Sequence, residues 1–359
     1  MKQTLLILVM VLIPMTATPY QKGVALGLFY KEPYYDYSGH LREIKAVGGQ
    51  SVSLVVSWYQ KNVTASEIYS KTVRQGDFQT FPDERLRQTI RQAHAAGLKV
   101  FLFPILRLEH REPKQWRGTL KPADKERWFE NYRRFILHYA KLASEGKVEL
   151  FSVGSELCSL EGEQTFWLKL IGEVRSRYSG KLIYSANWDH YEPVKFWSAL
   201  DYLGLTGYYE LSAVKNPTLA GLVGRWKEIQ RSLENWQKKQ GKKIIFTEIG
   251  YPSIDGTSIY PWDYTRTDAI DVEEQALCYE AFFQAWHNYP TFGGVYFWNW
   301  YGAGGLQDPN YTPKGKPAEK ILKKWYGSSS SPSWPLVSSP PVRPGTTSLK
   351  PSSARPPQS

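Results

Sequence analysis

The sequence predicts an α/β protein whose body is a single closed (β/α)8, or TIM, barrel. Eight short runs rich in β-branched and aromatic residues alternate with longer amphipathic stretches along the chain. Eight such units are the number that closes a parallel barrel, and a body of roughly 250–300 residues fits this fold. An open, doubly wound sheet is the alternative. The glycine-rich phosphate fingerprint that usually follows its first strand is absent here.

The predicted strands are continuous apolar runs, as expected for a parallel sheet covered on its outer face. They span 24–29, 52–57, 99–104, 150–154, 182–187, 202–206, 243–247 and 294–298. The predicted helices, whose apolar residues recur at helical spacing, span 41–47, 83–96, 123–144, 164–178, 193–200, 222–240, 273–288 and 316–325. Four of the helices are followed by a glycine, which favours helix termination: Gly97, Gly146, Gly180 and Gly241.

The two ends of the chain differ in composition from the body at 19–327. Residues 1–18 contain Lys2, an apolar run and then small residues, the order of a signal peptide or a short N-terminal anchor. Residues 328–359 are mostly Ser and Pro, a composition typical of a disordered tail. We therefore expect a secreted, periplasmic or cell-envelope protein that meets the membrane only through an uncleaved N-terminal segment.

The charge of the chain does not indicate a nucleic-acid partner. The net charge is +11, but Lys and Arg alternate with Glu and Asp, and no zinc signature or nucleic-acid module is present. Cys158 and Cys278 lack metal-ligand spacing, and a disulfide between them is allowed but not implied. The chain has six His and no His-x-His after its first strand, which argues against a metal-dependent barrel hydrolase. We expect a monomer.

Two glutamates are the strongest candidates for catalysis. Glu156 and Glu248 each directly follow an apolar strand, where an unpaired carboxylate would be costly to bury. In a closed barrel the ends of the fourth and seventh strands face each other across the mouth. Two carboxyl groups about 5–5.5 Å apart are what a retaining glycosidase needs, one as nucleophile and one as acid and base.

Aromatic and amide side chains accompany these glutamates at the predicted strand ends. Flat aromatic rings stack on the apolar C–H faces of pyranose sugars, and polar side chains bind the hydroxyl groups. The predicted substrate-binding residues are Trp58, Asn187, Trp188, Tyr208, Trp298 and Trp300. A carbohydrate is therefore the expected partner.

Four motifs resemble those of the retaining (β/α)8 glycosidases of clan A, and within it those of glycoside hydrolase family 113, which is known for β-1,4-mannanase activity. They are Val-Gly-Ser-Glu-Leu at 153–157, Tyr-Ser-Ala-Asn-Trp-Asp at 184–189, Phe-Thr-Glu-Ile-Gly-Tyr at 246–251 and Phe-Trp-Asn-Trp at 297–300. The resemblance implies that Glu156 is the acid/base and Glu248 the nucleophile, with no metal or organic cofactor. It also implies that Trp298 lies under the sugar in subsite −1, with Asn187 and Tyr208 nearby.

The sequence departs from the clan in two places that bear on the substrate. Ser155 stands where many members have an Asn that binds the sugar 2-hydroxyl, and the third strand end at 105–110 is not typical of family 113. Two other functions fit the same residues. One is a catalytically silent carbohydrate-binding barrel, and the other is a transglycosidase, in which a sugar hydroxyl replaces water.

Overall fold

Eight parallel strands close into a barrel in chain order, from β1 to β8, and β8 pairs with β1. The computed structural model describes residues 20–29, 32, 34–72 and 79–327. The predicted fold is confirmed. The predicted signal segment and Ser/Pro tail lie outside the described residues. Among the described helices, none is both long and apolar enough to cross a membrane.

Strands and helices alternate along the described chain except between the fifth and sixth strands, where no α-helix forms. The strands are β1 Gln21–Gly27, β2 Ser51–Gln60, β3 Lys99–Leu108, β4 Leu150–Ser155, β5 Lys181–Ala186, β6 Leu203–Thr206, β7 Ile244–Ile249 and β8 Phe292–Phe297. The helices are α1 Ser38–Ala46, α2 Asp83–Ala95, α3 Lys125–Glu145, α4 Gln164–Arg175, α5 Leu219–Gln240, α6 Val272–Trp286 and α7 Pro317–Tyr326. Short 3-10 turns span Arg117–Thr119, Cys158–Leu160 and Trp197–Ala199.

The predicted helix at 193–200 is wrong. Between β5 and β6 the chain forms only the 3-10 turn Trp197–Ala199. Phe196 and Trp197 are both buried and pack on different neighbours, Phe196 on Trp167 at 5.0 Å and Trp197 on Trp236 at 5.5 Å, so tertiary contacts override the local helical spacing. The Trp197 indole also donates a hydrogen bond to the Tyr191 carbonyl at 3.2 Å, which holds the segment in its turn.

Side chains alternate along each strand between two apolar clusters. In β2, Val55 belongs to the inner cluster that fills the barrel, whereas Leu54 and Val56 belong to the outer core beneath the helices. The inner cluster consists of Ala25, Phe29, Val55, Phe101, Phe103, Ile105, Leu150, Ile183, Tyr208, Ile245, Tyr296, Trp298 and Tyr311. This alternation decides which strand-end side chains reach the mouth of the barrel.

An irregularity in β7 changes the direction of its last side chains. Leu205 of β6 pairs with Phe246, but the next residue, Thr206, pairs with Glu248, so β7 contains one extra residue. A bulge of this kind redirects the side chains that follow it. Leu205 belongs to the outer core, so Thr206 faces the barrel interior by alternation, and its partner Glu248 faces the interior with it.

Candidate active site

Glu156 lies one residue beyond β4, at the carboxyl end of the barrel. Its backbone NH donates to the Ser185 carbonyl at 2.8 Å, and its φ angle is +53°, in the left-handed region. A non-glycine residue adopts this conformation at a cost of about 1–3 kcal/mol, so the surrounding structure must enforce it. The residue is only 7% exposed. The chain therefore holds this carboxylate inside the mouth of the barrel.

Glu248 lies in β7 and is completely buried. The Tyr208 hydroxyl donates a hydrogen bond to its Oε2 at 3.2 Å. Within the described part of the chain, Oε1 has no hydrogen-bond partner. Two residues further on, a Cβ at Gly250 would lie 2.5 Å from the Trp298 carbonyl oxygen, so only glycine permits this close approach of β7 and β8.

Arg117 joins the two glutamates and was not predicted from the sequence. Its Nη2 atom lies 2.5 Å from Glu156 Oε2 and 4.0 Å from Glu248 Oε1, and the residue is 4% exposed. It lies on the 3-10 turn Arg117–Thr119, in the long connection between β3 and α3. No motif marks this position. The sequence indicates such a residue only indirectly: two buried carboxylates need a cation nearby, but the sequence does not show which one.

These two contacts limit how far apart the carboxylates can be. Both oxygens lie near the same nitrogen atom, so their separation is at most about 6.5 Å, the sum of 2.5 Å and 4.0 Å. Retaining glycosidases hold their carboxyl groups about 5–5.5 Å apart, and inverting ones about 6.5–9.5 Å apart. The upper bound for these two oxygen atoms includes the retaining range and only touches the lower end of the inverting range.

The environment of Glu248 favours its protonated form. Burial raises its pKa to about 8, with a further contribution from the negative charge of Glu156. The Arg117 charge and the Tyr208 hydrogen bond oppose this rise. At neutral pH these surroundings favour a proton on Glu248.

The structure places two of the predicted site residues, Tyr208 and Trp298, inside the barrel. Both belong to the inner cluster, and Trp298 is 5% exposed at the carboxyl end of β8. Its ring centroid lies 6.3 Å from that of Phe29, and its backbone NH donates to the Ile249 carbonyl at 2.7 Å. The Trp298–Asn299 peptide bond is cis. Both aromatic side chains therefore lie inside the barrel, and Tyr208 contacts Glu248 directly.

Asn187 and Trp188 lie at the rim after β5, and β6 separates them from Glu248 on β7. The Asn187 amide accepts from Thr206 Oγ1 at 3.2 Å and donates to Asp189 at 2.6 Å, so its hydrogen bonds are with neighbours other than the glutamates. Trp188 packs against both the inner cluster and the outer core. These two residues therefore border the mouth.

Trp58 and Trp300 are not brought to the glutamates. Trp58 lies on the outer face of β2, and its ring centroid is 5.3–5.4 Å from those of His138 and Phe135 on α3. Trp300 is 1% exposed, belongs to the outer core, and donates from Nε1 to Glu43 on α1 at 2.8 Å. Both rings pack between the barrel and its helices. The alternation of β2 would have identified the outward direction of Trp58.

Two groups of side chains in the described residues have metal-ligand chemistry. One contains Cys158, Glu161 and His190, and the other contains Asp255, Asp271 and Glu274. The buried Glu161 carboxylate already accepts from Tyr184 at 2.6 Å and contacts His190 Nδ1 at 2.7 Å. Glu274 accepts from two backbone NH groups and the Ser258 hydroxyl. Both cysteines are free thiols, so the disulfide that the sequence allowed is not formed.

A parallel eight-stranded barrel with two glutamates at the ends of β4 and β7 is the architecture of a large class of glycoside hydrolases. This chain belongs to Glycoside Hydrolase Family 113, whose model matches residues 30–315. The resemblance inferred from the four motifs is thereby confirmed, and the protein is a glycoside hydrolase.

Solved structures of the same family resemble the chain over most of its length. A GH113 β-1,4-mannanase is 26% identical with a TM-score of 0.76, and covers 86% of this chain and 99% of its own. The GH113 β-mannanase AaManA from Alicyclobacillus acidocaldarius, in complex with ManMIm, is 27% identical with a TM-score of 0.76. The match covers 86% of this chain and 97% of AaManA.

A more distant structure shares the fold alone. A Faecalibacterium prausnitzii β-glucuronidase is 13% identical with a TM-score of 0.57, over 88% of this chain and 50% of its own. Among curated protein sequences, none matches the chain significantly.

Proposed function

We propose that the protein is a retaining β-glycosidase that cleaves β-1,4-linked mannan or manno-oligosaccharides. The observation that carries this proposal is that Glu156 and Glu248 each place one oxygen near the same Arg117 nitrogen. The two oxygens, Glu156 Oε2 and Glu248 Oε1, are therefore at most about 6.5 Å apart. The preference for mannan is supported by the two GH113 structures, which are both β-mannanases.

The reaction proceeds by two displacements at the anomeric carbon. In the first, a Glu248 oxygen attacks this carbon, the glycosidic bond breaks, and Glu156 gives its proton to the leaving oxygen. The product is a covalent glycosyl-enzyme. In the second, Glu156 takes a proton from water, the water oxygen attacks the anomeric carbon, and Glu248 leaves as a carboxylate. Trp298 lies under the sugar ring, and Tyr208 orients the nucleophile.

The proton must occupy Glu156 before the first displacement, although the free protein favours a proton on Glu248. Arg117 provides a route between the two arrangements. A small movement of its guanidinium toward Glu248 Oε1, now 4.0 Å away, would pair it with an oxygen for which no described residue supplies a hydrogen bond. The proton then moves to Glu156, which has lost its cation. Substrate binding is the event that we propose drives this exchange.

The proposal is tested with β-linked manno-, gluco-, xylo- and galacto-oligosaccharides and three variants. We expect the wild type to cleave the manno series and Glu248→Ala to lose turnover while still binding sugar. Glu156→Ala should lose most activity on oligosaccharides but retain more on aryl mannosides, whose leaving groups need little protonation. Glu173→Ala, which changes a carboxylate on α4, is the matched control and should behave as wild type.

Other outcomes separate the alternatives. Binding of a manno-oligosaccharide without cleavage by the wild type would indicate a silent carbohydrate-binding barrel. Products longer than the substrate would indicate a transglycosidase. Wild-type turnover in Glu248→Ala would contradict the assignment of the nucleophile.

We also propose that the enzyme acts as a monomer outside the cytoplasm. The support is the signal-like composition of residues 1–18. Cell fractionation of the full chain and of a chain lacking residues 2–18 tests the location. The full chain should be found in the envelope or medium and the shortened chain in the cytoplasm. Light scattering of the purified protein tests the monomer, and a dimer mass would contradict it.

A further inference from the structure

A groove of about 560 Å³ lies beside the mouth of the barrel, between the loop after β5 and the first half of α5. Trp188, Tyr191 and Tyr209 form its aromatic side. Ile229 and Ser232 of α5 line the opposite side. This volume lies within the range of small-molecule binding sites, about 300–1,000 Å³. The groove is therefore large enough for sugar rings and has the flat apolar surfaces on which they stack.

The polar side chains of the groove suit hydroxyl groups better than anions. Asp189, Glu192 and Glu228 contribute three carboxylates, and Arg225 contributes one guanidinium. Arg225 contacts Glu228 at 3.0 Å and donates to the Glu210 carbonyl at 3.2 Å. Carboxylates accept hydrogen bonds from sugar hydroxyls, whereas the surplus of negative charge repels an acidic sugar. The chemistry of the groove thus favours an uncharged glycan.

The Tyr209 hydroxyl is an independent sign of a ligand. The residue is 7% exposed, and among the described residues its hydroxyl finds no hydrogen-bond partner. A buried hydroxyl without a partner costs free energy, so such groups are rare in folded proteins and call for an explanation. The Tyr209 ring lies 5.2 Å from that of Trp188, at the aromatic side of the groove. The hydroxyl oxygen has almost no exposed surface in the free protein, so a sugar hydroxyl in the groove supplies the missing partner once the neighbouring side chains shift.

The groove borders the mouth of the barrel at Trp188. Trp188 lines the groove and also packs against the inner cluster of the barrel. Asp189 accepts a hydrogen bond from Asn187, which in turn accepts one from Thr206, the sheet partner of Glu248. A chain of contacts therefore links the nucleophile to the groove across the ends of β5 and β6.

We propose that this groove is an accessory subsite, which binds hexopyranose units of an uncharged glycan whose scissile bond lies between Glu156 and Glu248. The inference rests on the proposed function and extends it, because it assigns a preference for longer chains. Sugar units bound here add affinity only when the substrate is long enough to reach the groove from the catalytic pair.

The test compares two groove variants with a matched control. Tyr191→Ala removes an aromatic wall. Because Tyr191 also packs on Trp236 at 4.6 Å, its removal could destabilise the fold. Ser232→Trp avoids this problem, since it fills the groove from an exposed helix position. Tyr289→Ala removes a tyrosine from a separate groove at the amino-terminal end of the barrel. The measured quantity is the ratio of kcat/KM for mannohexaose to that for mannotriose.

We expect this ratio to fall about five- to tenfold in both groove variants and to keep its wild-type value in Tyr289→Ala. An unchanged ratio in Ser232→Trp, with the wild type active, would overturn the groove assignment and leave the proposed function intact. If the wild type cleaves neither substrate, the proposed function fails. In that case the groove is tested by calorimetry of the binding of neutral hexaoses of mannose, glucose, xylose and galactose to the wild type and to Ser232→Trp. We expect the variant to bind more weakly, and equal binding by the two proteins would overturn the inference. Equal or tighter binding of a uronic-acid hexaose would contradict the uncharged class.

Discussion

Replacing the buried Glu248 by Gln should stabilise the fold, and the gain should grow with pH. The rise of its pKa from 4.5 to about 8 means that the native state holds a proton that the unfolded chain has already lost in this pH range. Wild-type stability therefore falls as the pH rises from about 4.5 to 8, and a neutral amide avoids that fall. At about 1.4 kcal/mol for each pKa unit, the upper limit of the difference above pH 8 is about 5 kcal/mol.

Urea unfolding of the wild type and of Glu248→Gln at pH 5 and pH 8 measures this effect. Protein relaxation lowers the upper limit, so we expect a gain at pH 8 that exceeds the gain at pH 5 by at least about 1 kcal/mol, or a Tm increase of about 2–4 °C. Glu173→Gln is the control. The Arg133 guanidinium beside Glu173 holds the pKa of that carboxyl below its usual range, so the control shows no growing gain between pH 5 and 8. A pH-independent difference for Glu248→Gln, or one that shrinks with pH, would refute the reasoning.

Three further predictions concern the other members of the site, and one concerns a residue outside it. Arg117→Met removes a charge that lowers the pKa of Glu248, so the acidic limb of the pH profile of kcat/KM should move to higher pH by about one unit; a shift to lower pH would contradict this role. Tyr208→Phe removes the hydrogen bond to the nucleophile and should lower kcat about 10- to 100-fold, as steady-state kinetics on a manno-oligosaccharide would show. Trp298→Ala should lower kcat/KM by at least about tenfold and also reduce the free energy of unfolding by about 3–5 kcal/mol. Trp58→Ala should lower Tm with KM within about twofold of wild type, because its ring packs on α3; a large rise in KM would place it in the substrate site.

The barrel and the catalytic pair could be predicted because the relevant signals are local. Glu156 and Glu248 each follow an apolar run that is visible in the sequence. The eight apolar strand runs, separated by amphipathic stretches, indicate the closed sheet. Tyr208 and Trp298 were also identified at strand ends, and the structure places both in the inner cluster.

The remaining features depend on contacts that the sequence does not display. Arg117 reaches the glutamates from a long connection whose path is set by tertiary packing. Trp300 follows the end of β8, where strand alternation no longer fixes side-chain direction, and the Glu43 carboxylate accepts its indole NH. Trp58 is different, because the alternation of side chains along β2 can be inferred from the sequence and directs Trp58 outward. The helix predicted at 193–200 is wrong because the tertiary packing of Phe196 and Trp197 overrides the helical spacing of the apolar residues.

The stereochemistry of the first product tests the central claim most directly. The account holds that Glu248 attacks the anomeric carbon and that water later displaces it from the opposite face, the one that the leaving group occupied, so that the anomeric configuration is retained. Proton NMR of a mannohexaose digest, recorded before the anomers equilibrate, should show the β-anomer first. An α-anomer formed first would contradict the double displacement and the role assigned to Glu248.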